Sequence, residues 1–414
     1  MMRQGEADRP LLVASGLLTV FGLLALYSAG QTDVPTRAAG VWYRQFFWVG
    51  LGVLAMLTAS RVPPRLLEWA APLLYGIATL LLVVVLAVGT GSGTAASSKS
   101  WIAVGGVKLG QPAELAKVAC ILLLARHLSG LREPPRTLRD LLKPCLIIGV
   151  PFLLVMKQPD LGSALVFVGI FFAMLFWAGV PARMLAFIAS PAVSLLLAFS
   201  TLWWGSWMVL LFGLIVLWRP FVLDAVIVYL ANVAMGIIAI PLWEKLAPYQ
   251  QNRLLTFLNP EVDPQRAGYH AIQSKVAIGS AGLFGKGLTQ GPQKRLAFLP
   301  EQHTDFIFSV VGEELGFLGV AIALALFLYL FTQLLRIARR ASDPFASLVA
   351  FGVLGLLFTH VFENVGMTVN LMPITGIPLP FFSFGGSFFV VVAGCLGLVL
   401  RVAADSRATG AADI

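Results

Sequence analysis

Twelve apolar runs, spread from one end of the chain to the other, most restrict the folds open to this sequence. The 414 residues are 58% hydrophobic and 12% charged, and the mean hydropathy is +0.86. Apolar runs of about 17 to 25 residues predict membrane-spanning helices, because a helix satisfies its own backbone polar groups inside lipid. The sequence therefore predicts one all-α polytopic membrane domain over 1–414. Its helices are expected near 11–30, 42–59, 70–89, 112–126, 144–156, 162–179, 184–203, 206–218, 221–243, 306–335, 345–366 and 382–400.

The distribution of basic residues predicts how these helices cross the membrane. With the N-terminus in the cytoplasm, the short inner loops and the termini hold sixteen Lys and Arg residues, against five in the short outer loops. Cytoplasmic loops carry such an excess, so both termini are expected in the cytoplasm, and the loop 244–305 faces outward from the cytoplasmic (inner) membrane. The same excess explains the net charge of +9 without a nucleic-acid partner. Because Met1–Pro10 is polar, no cleavable signal peptide is expected.

The interval from Tyr249 to Gly316 is the one long polar stretch, and it runs directly into an apolar segment. Asp305 begins that segment, where an Asp is often the N-cap of a helix. An ionised carboxylate at the membrane surface could equally act as a general base, and the residues alone leave both interpretations open. His303 could titrate near neutrality, although a lone interfacial His more often only donates hydrogen bonds.

Polar residues inside or beside apolar segments are the other candidates for function, because ionisable groups are costly in a membrane. Glu114 and Lys117 are three residues apart, so they share a helix face, as a structural ion pair or as the wall of a polar cavity. Asp160 either caps the next helix or has a functional role. Trp101 is read as an interfacial anchor, and Asp224 as an interfacial acid.

The stretch 373–387 (PITGIPLPFFSFGGS) holds three prolines and three glycines in an apolar context. It cannot be a regular helix. Non-helical backbone at membrane depth is tolerated only where protein buries it or water reaches it. The stretch is therefore predicted to be a re-entrant or cavity-lining loop.

Five motifs together resemble the SEDS proteins (shape, elongation, division and sporulation), the RodA and FtsW family. They occur in the family's order and span most of the chain. Residues within them, notably Lys275 and Met367, are more similar to RodA than to FtsW. The motifs are WIAVGGVKLGQPAELAK (101–117), KQPDLGSAL (157–165), GYHAIQSKVAIGSAGLFGKGLTQG (268–291), FLPEQHTDFIFSVVGEELG (298–316) and NVGMTVNLMPITGIPLPFFSFGGS (364–387).

The resemblance implies a peptidoglycan glycosyltransferase that polymerises lipid II at the outer face of the membrane. RodA-like members act in the elongation machinery with a class B penicillin-binding protein, which supplies transpeptidation. The family's essential Asp corresponds to Asp305, and its substrate-site residues correspond to Trp101, Glu114, Lys117 and Asp160. Four motif positions depart from the family: Ala113 and Phe388 each replace a serine, Phe384 a tyrosine and Asn370 a glycine.

The implied reaction is inverting transfer, in which an acceptor hydroxyl displaces undecaprenyl diphosphate from the donor's anomeric carbon. Asp305 is the expected general base. Lys117 and Arg253 are candidates to neutralise the diphosphate, and Lys275 and His303 are further substrate-binding candidates. A divalent cation, Mg²⁺ or Mn²⁺, held by the diphosphate is a possible cofactor, and no protein metal site is specified.

Family members usually have ten spans, so twelve predict a two-helix insertion, placed at 204–243. An even number of added spans keeps Asp305 on the outer side. A lipid II transporter and a non-catalytic scaffold of the elongation or division complex are the alternative functions. The transporter is weakened because no internal repeat is visible and the polar motifs gather toward the outer face.

Overall fold

The computed structural model describes residues 8–90, 100–104, 107–246, 251–252, 255–257, 268–299 and 301–408. Within these residues, twelve helices of 16 residues or more coincide with the twelve predicted segments, which confirms the all-α membrane fold. Seven of them are long and apolar enough to cross a membrane, and Leu161–Trp177 and Ala182–Leu197 are shorter apolar helices. The long helices are α1 (Arg9–Ala29), α2 (Val41–Ala59), α3 (Pro64–Val88), α4 (Pro112–Ser129), α5 (Leu142–Lys157), α6 (Leu161–Trp177), α7 (Ala182–Leu197), α8 (Thr201–Trp218), α9 (Val222–Lys245), α12 (Ile307–Arg340), α13 (Pro344–Thr368) and α14 (Gly386–Ala408).

Local capping explains where several of these helices begin. Asp8, Asp160 and Asp343 precede α1, α6 and α13, and each carboxylate accepts a backbone N–H of the first turn. These bonds satisfy donors that have no partner within the helix. Pro112 and Pro344 occupy first-turn positions, where a missing N–H costs nothing.

The core is built around α13, which packs against α4, α6, α12 and α14. In its most apolar window, 72% of the residues are buried. Large side chains such as Phe167, Phe327 and Phe345 fill the spaces between these helices and are almost fully buried. The helices that carry the polar motifs therefore belong to one closely packed group.

Helices α7, α8 and α9 form a separate peripheral group. Phe187, Leu211 and Val228 make a small apolar cluster apart from the main core. Only 11% of the α8 window and 17% of the α9 window are buried. The interval 204–243, which was predicted to be an insertion, falls within α8 and α9 at the edge of the bundle.

A two-stranded antiparallel hairpin is the departure from the predicted all-α structure. Strands β1 (Ile102–Val104) and β2 (Val107–Gly110) lie between α3 and α4, and an isolated bridge pairs Thr90 with Trp101. In this hairpin Val104 pairs with Val107, and the β-branched valine favours strands. Two backbone hydrogen bonds, of 2.9 and 3.0 Å, hold Trp101 to Thr90.

The described part of the predicted outer loop, 244–305, folds back on the bundle. It contains the helices α10 (Tyr269–Gly279) and α11 (Pro292–Arg295). Between them, residues near 285 run along a break in α12 at Gly316 (φ 63°, ψ −159°). The backbone N–H groups of Lys286 and Gly287 donate to the carbonyls of Glu313 and Glu314 at 3.0 and 2.9 Å.

Glu313 and Glu314 hold α11 against α12, and neither lines the cavity described below. Glu313 accepts the backbone N–H groups of Gln293 and Lys294 at 2.7 and 3.2 Å. Glu314 pairs with the fully buried Lys294 ammonium at 2.9 Å and accepts a hydrogen bond from Ser28 of α1. The two acids therefore have a structural explanation.

Candidate functional site

A polar cavity of about 170 Å³ opens where α4, α6 and α12 begin. Four predicted site residues line it: Trp101, Glu114, Asp160 and Asp305. They come from four separate places in the sequence, and the antiparallel packing brings those places to the same end of the bundle. The cavity is thus the place where four of the five motifs converge.

Asp305 lies in the turn before α12 and lines the cavity. The N-cap of α12 is Phe306, so the interpretation of Asp305 as the N-cap is wrong. The turn is held from behind by Asn364 of α13, whose side-chain amide donates to the Asp305 carbonyl at 2.9 Å and to the Ile377 carbonyl at 2.7 Å. The backbone of Asp305 is therefore held in place at the cavity wall.

The loop 373–387 forms one wall of the cavity and braces the same turn. Ser383 donates through Oγ to the Thr304 carbonyl at 2.6 Å, and the Phe384 N–H donates to the His303 carbonyl at 2.8 Å. Thr375, Pro378 and Phe384 line the cavity. The prediction of a cavity-lining, non-helical loop is confirmed.

Glu114 and Lys117 form a buried ion pair of 2.8 Å within α4. Glu114 lines the cavity, whereas Lys117 is fully buried behind it and is not part of the lining. Both interpretations of the pair therefore hold in part. Lys117 also contacts Nε2 of His360 at 3.1 Å.

His360 of α13 is the site residue that the sequence analysis missed. It is fully buried and lines the cavity beside Phe388. Its Nδ1 lies 3.2 Å from the Pro378 carbonyl, which can only accept a hydrogen bond. Nδ1 is therefore assigned the proton, and the neutral Nε2 accepts from Lys117. A histidine inside an apolar span was the available signal.

Asp160 has both of the roles considered for it. One carboxylate oxygen accepts the Ser163 N–H at 3.0 Å and caps α6. The other accepts the Gln111 side-chain amide at 2.6 Å. Because Gln111 immediately precedes α4, this bond joins the starts of the two helices at the cavity rim.

Besides Lys117, two predicted site residues that the structure describes do not line the cavity. Lys275 is exposed on α10. His303 lies beside the cavity turn, with its ring 6.2 Å from that of Phe384, but does not line the cavity. Arg253 lies outside the described residues.

The comparisons with known proteins agree with the motif evidence. The chain matches the profile of the FtsW/RodA/SpoVE family, described as cell cycle proteins, over residues 9–212 and 204–408. It is 36% identical to the peptidoglycan glycosyltransferase RodA of Treponema pallidum, over 96% of this chain and 97% of that protein. This chain belongs to the FtsW/RodA/SpoVE family.

The chain is also similar to a further sequence relative and to two solved structures. The peptidoglycan glycosyltransferase MrdB of Escherichia coli K12 is 37% identical, covering 95% of this chain and 93% of its own. A peptidoglycan synthase complex, solved for the coordination of polymerization and crosslinking, contains a chain with a TM-score of 0.70 and 29% identity, covering 97% and 98%. RodA of Thermus thermophilus has a TM-score of 0.62 at 29% identity, covering 97% of both chains.

An apolar groove adjoins the cavity of this FtsW/RodA/SpoVE member. It has a volume of about 590 Å³ and lies between α2, α3, α4 and α14. Gln111, Glu114 and Ser387 line both spaces, so the groove leads from the polar cavity to the outside of the bundle. A second apolar space of about 360 Å³ continues it between the same helices.

The residues near the cavity do not form a complete protein metal site. Within the described ranges, no group of three His, Cys, Asp or Glu side chains is placed to hold one ion. Asp160, Glu301 and Asp305 supply carboxylate oxygens along the cavity wall, and Mg²⁺ and Mn²⁺ prefer such oxygens. A divalent cation at this cavity would therefore need further oxygen ligands from a bound diphosphate.

Proposed function

We propose that this protein is an inverting peptidoglycan glycosyltransferase that polymerises lipid II at the cavity carrying Asp305. The observation that carries the proposal is the convergence of Trp101, Glu114, Asp160 and Asp305 on one cavity in a chain of this family. The relatives RodA and MrdB are named for the same activity. Activity in cell elongation rests on the similarity to RodA.

Asp305 is the proposed general base. The acceptor hydroxyl forms a bond to the donor's anomeric carbon, the bond from that carbon to the diphosphate breaks, and undecaprenyl diphosphate leaves. The hydroxyl proton passes to the Asp305 carboxylate. A base must hold a fixed position relative to its substrate, and the two hydrogen bonds of Asn364 supply that rigidity.

Lys117 is proposed to act through Glu114 and not by direct contact with the diphosphate. Its ammonium is enclosed by Glu114 and His360. It holds Glu114 in place at the cavity wall, where the carboxylate can accept a hydrogen bond from a sugar hydroxyl. Arg253 and a divalent cation remain the candidates for neutralising the leaving diphosphate.

The apolar groove is proposed to hold the polyprenyl chain of a lipid-linked substrate while its head group occupies the cavity. Lipid-linked sugars need such a pair of spaces, one polar and one open to the membrane. The basic inner loops support an orientation with both termini in the cytoplasm of the inner membrane and the cavity on the outer side. A class B penicillin-binding protein is the proposed partner, in agreement with the crosslinking complex among the structural relatives.

The test is polymerisation of lipid II by the purified full chain together with its class B penicillin-binding protein, with the transpeptidase blocked. Wild type should make glycan chains, and Asp305→Asn should make none while retaining the partner and the wild-type melting temperature. Equal chains from both would refute the base assignment. No chains from a verified wild-type complex would refute the enzyme and favour a transporter or a scaffold.

A further inference from the structure

A second pocket lies at the end of the bundle opposite the cavity. It has a volume of about 590 Å³, and its lining includes Arg136 before α5, Arg183 in α7, Arg219 between α8 and α9, and Asp224 in α9. Helix α6 runs from the cavity to this end, and its 17 residues span about 25 Å. The pocket is therefore remote from the chemistry proposed above.

Two helices begin at this pocket without a side-chain cap. Pro181 and Phe221, the N-cap residues of α7 and α9, line the pocket, and neither side chain accepts a first-turn N–H. Uncapped helix N-termini present backbone donors and a partial positive charge, which favour an anion. The guanidinium groups of Arg183 and Arg219 are exposed beside them and add full positive charges.

The pocket also contains the carboxylate of Asp224, and a bound anion would give this carboxylate no partner. Only 9% of the residue is exposed, and it lines the same pocket. Asp224 lies in the first turn of α9. No hydrogen bond or ion pair between described residues involves its carboxylate, although three arginines line the same pocket. The Asp224 oxygens are not among the enclosed side-chain atoms that lack a partner, so they stay open to the pocket and can accept a positively charged group of a ligand.

An apolar groove continues from the pocket toward the membrane interior. It has a volume of about 480 Å³, lies between α5, α7 and α9, and shares Leu138, Phe187 and Val228 with the pocket. Along α5 it extends from Leu142 to Leu153, which is about 17 Å. One leaflet of a bilayer core is about 15 Å deep. The groove therefore matches the depth that one acyl chain occupies.

We propose that this pocket and groove together bind one phospholipid whose head group carries both a phosphate and an ammonium, as in phosphatidylethanolamine. The phosphate lies at Arg183, Arg219 and the two helix N-termini, the ammonium pairs with Asp224, and one acyl chain fills the groove. Arg136 contributes less, because it is largely exposed and lies 3.8 Å from Glu133. In the proposed orientation the lipid belongs to the cytoplasmic leaflet, and it ties the sparsely packed α8 and α9 to the bundle.

The experiment is native mass spectrometry of the delipidated full chain, titrated with palmitoyl-oleoyl phosphatidylethanolamine, with the matching phosphatidylglycerol, or with inorganic phosphate. Wild type should bind phosphatidylethanolamine more tightly than phosphatidylglycerol. Asp224→Asn should weaken phosphatidylethanolamine about fivefold and leave phosphatidylglycerol unchanged. Arg183→Gln/Arg219→Gln should weaken both lipids, by about fivefold for each arginine.

Two controls separate the site from general effects. Arg339→Gln/Arg340→Gln removes the same charge at the same end of the bundle, outside the pocket, and should change nothing. Gly149→Leu fills the groove, because a side chain at Gly149 meets no atom within 4 Å, and should reduce binding of both lipids without a change of charge. Each variant is compared with wild type by its melting temperature before lipid is added.

Three outcomes would overturn the proposal. Equal affinity for the two lipids, unchanged by Asp224→Asn, would remove the ammonium site. Inorganic phosphate binding as tightly as phosphatidylethanolamine would identify a free-anion site. Equal losses in the pocket variant and in the Arg339→Gln/Arg340→Gln control would show attraction to the membrane surface and no specific pocket.

Discussion

The side-chain amide of Asn364 donates a hydrogen bond of 2.9 Å to the backbone carbonyl of Asp305, and a second one of 2.7 Å to the carbonyl of Ile377. Asn364 is fully buried in α13 and does not line the cavity. One side chain therefore joins the turn that carries the proposed base to the loop that forms the cavity wall. The position of Asp305 depends on a residue that substrate does not touch.

Asn364→Leu should reduce the polymerisation rate about a hundredfold with a much smaller change in the KM for lipid II. The substitution keeps a similar volume but removes both donors, and a displacement of about 1 Å at the base has an effect of this size. Leaving two carbonyls unpaired should also lower the free energy of unfolding by about 1–3 kcal/mol for each. Steady-state kinetics and melting measure the two effects.

Asn370→Gly is the matched control for that variant. Asn370 has a positive φ of 60°, which glycine adopts freely, and its amide makes only a 3.4 Å contact with the Phe257 carbonyl. The polymerisation rate of Asn370→Gly should stay close to that of the wild type. A folded Asn364→Leu protein that also retains the wild-type rate would show that the turn does not need this brace.

Lys117→Met should lower the free energy of unfolding by about 3–5 kcal/mol, because it leaves the Glu114 carboxylate buried without its partner. The double variant Lys117→Met/Glu114→Gln removes both charges and should recover most of that loss. Neither variant should polymerise lipid II. The single variant lacks the ammonium that positions Glu114, and the double variant lacks the Glu114 carboxylate at the cavity wall. Equal destabilisation of the single and the double variant in denaturant unfolding would contradict this account of the pair.

The sequence predicted the helices, and the residues at the helix ends that meet at the cavity, better than it predicted side-chain direction. Asp160 and Asp305 were located because each begins an apolar segment, and the ends of neighbouring helices meet at one face of the bundle. Lys117 was expected to contact substrate, but a residue's spacing on α4 does not say which helix covers it. His360 was missed because nothing in a single sequence shows that this face of α13 turns toward the cavity.

The tryptophans of the predicted insertion have a role that the sequence did not indicate. Trp204 donates to Ser194 at 2.8 Å and Trp207 donates to the side-chain oxygen of Asn232 at 3.1 Å. Asn232 in turn donates to Ser190 at 2.7 Å. These bonds connect α8 and α9 to α7 within an apolar environment. Such partners across helices cannot be read from spacing along one helix, because they depend on how the three helices pack.

His303 should make stability depend on pH in the mildly acidic range. Burial, together with the nearby charge of Arg37, lowers the pKa of His303 below its usual 6.5, and the charge of Glu301 opposes this. Below about pH 6.5 the unfolded state therefore binds a proton that the folded state binds less readily. Stability should fall as the pH drops from about 6.5 toward the lowered pKa of the folded state.

His303→Gln should reduce this pH dependence when melting is measured between about pH 5 and 7. Asp140→Asn is the control, because the backbone N–H groups of Arg136 and Thr137 lower the pKa of Asp140 below 3.8 and outside this window. An identical pH dependence in wild type and His303→Gln would mean that another group accounts for it.

Gly285→Ala should detach the segment before α11 from α12, whereas Gly282→Ala should not. Both glycines have positive φ angles, 78° and 63°, so each substitution introduces backbone strain of about 1–2 kcal/mol. A Cβ at Gly285 would also lie 2.1 Å from the Glu314 carbonyl oxygen, while a Cβ at Gly282 would meet no atom within 4 Å. The difference between the two variants therefore isolates the close approach of the segment to the break at Gly316.

Hydrogen exchange of the Lys286 and Gly287 amides, which bond to Glu313 and Glu314, should rise strongly in Gly285→Ala and only slightly in Gly282→Ala. Equal exchange in both would show that strain alone governs this contact.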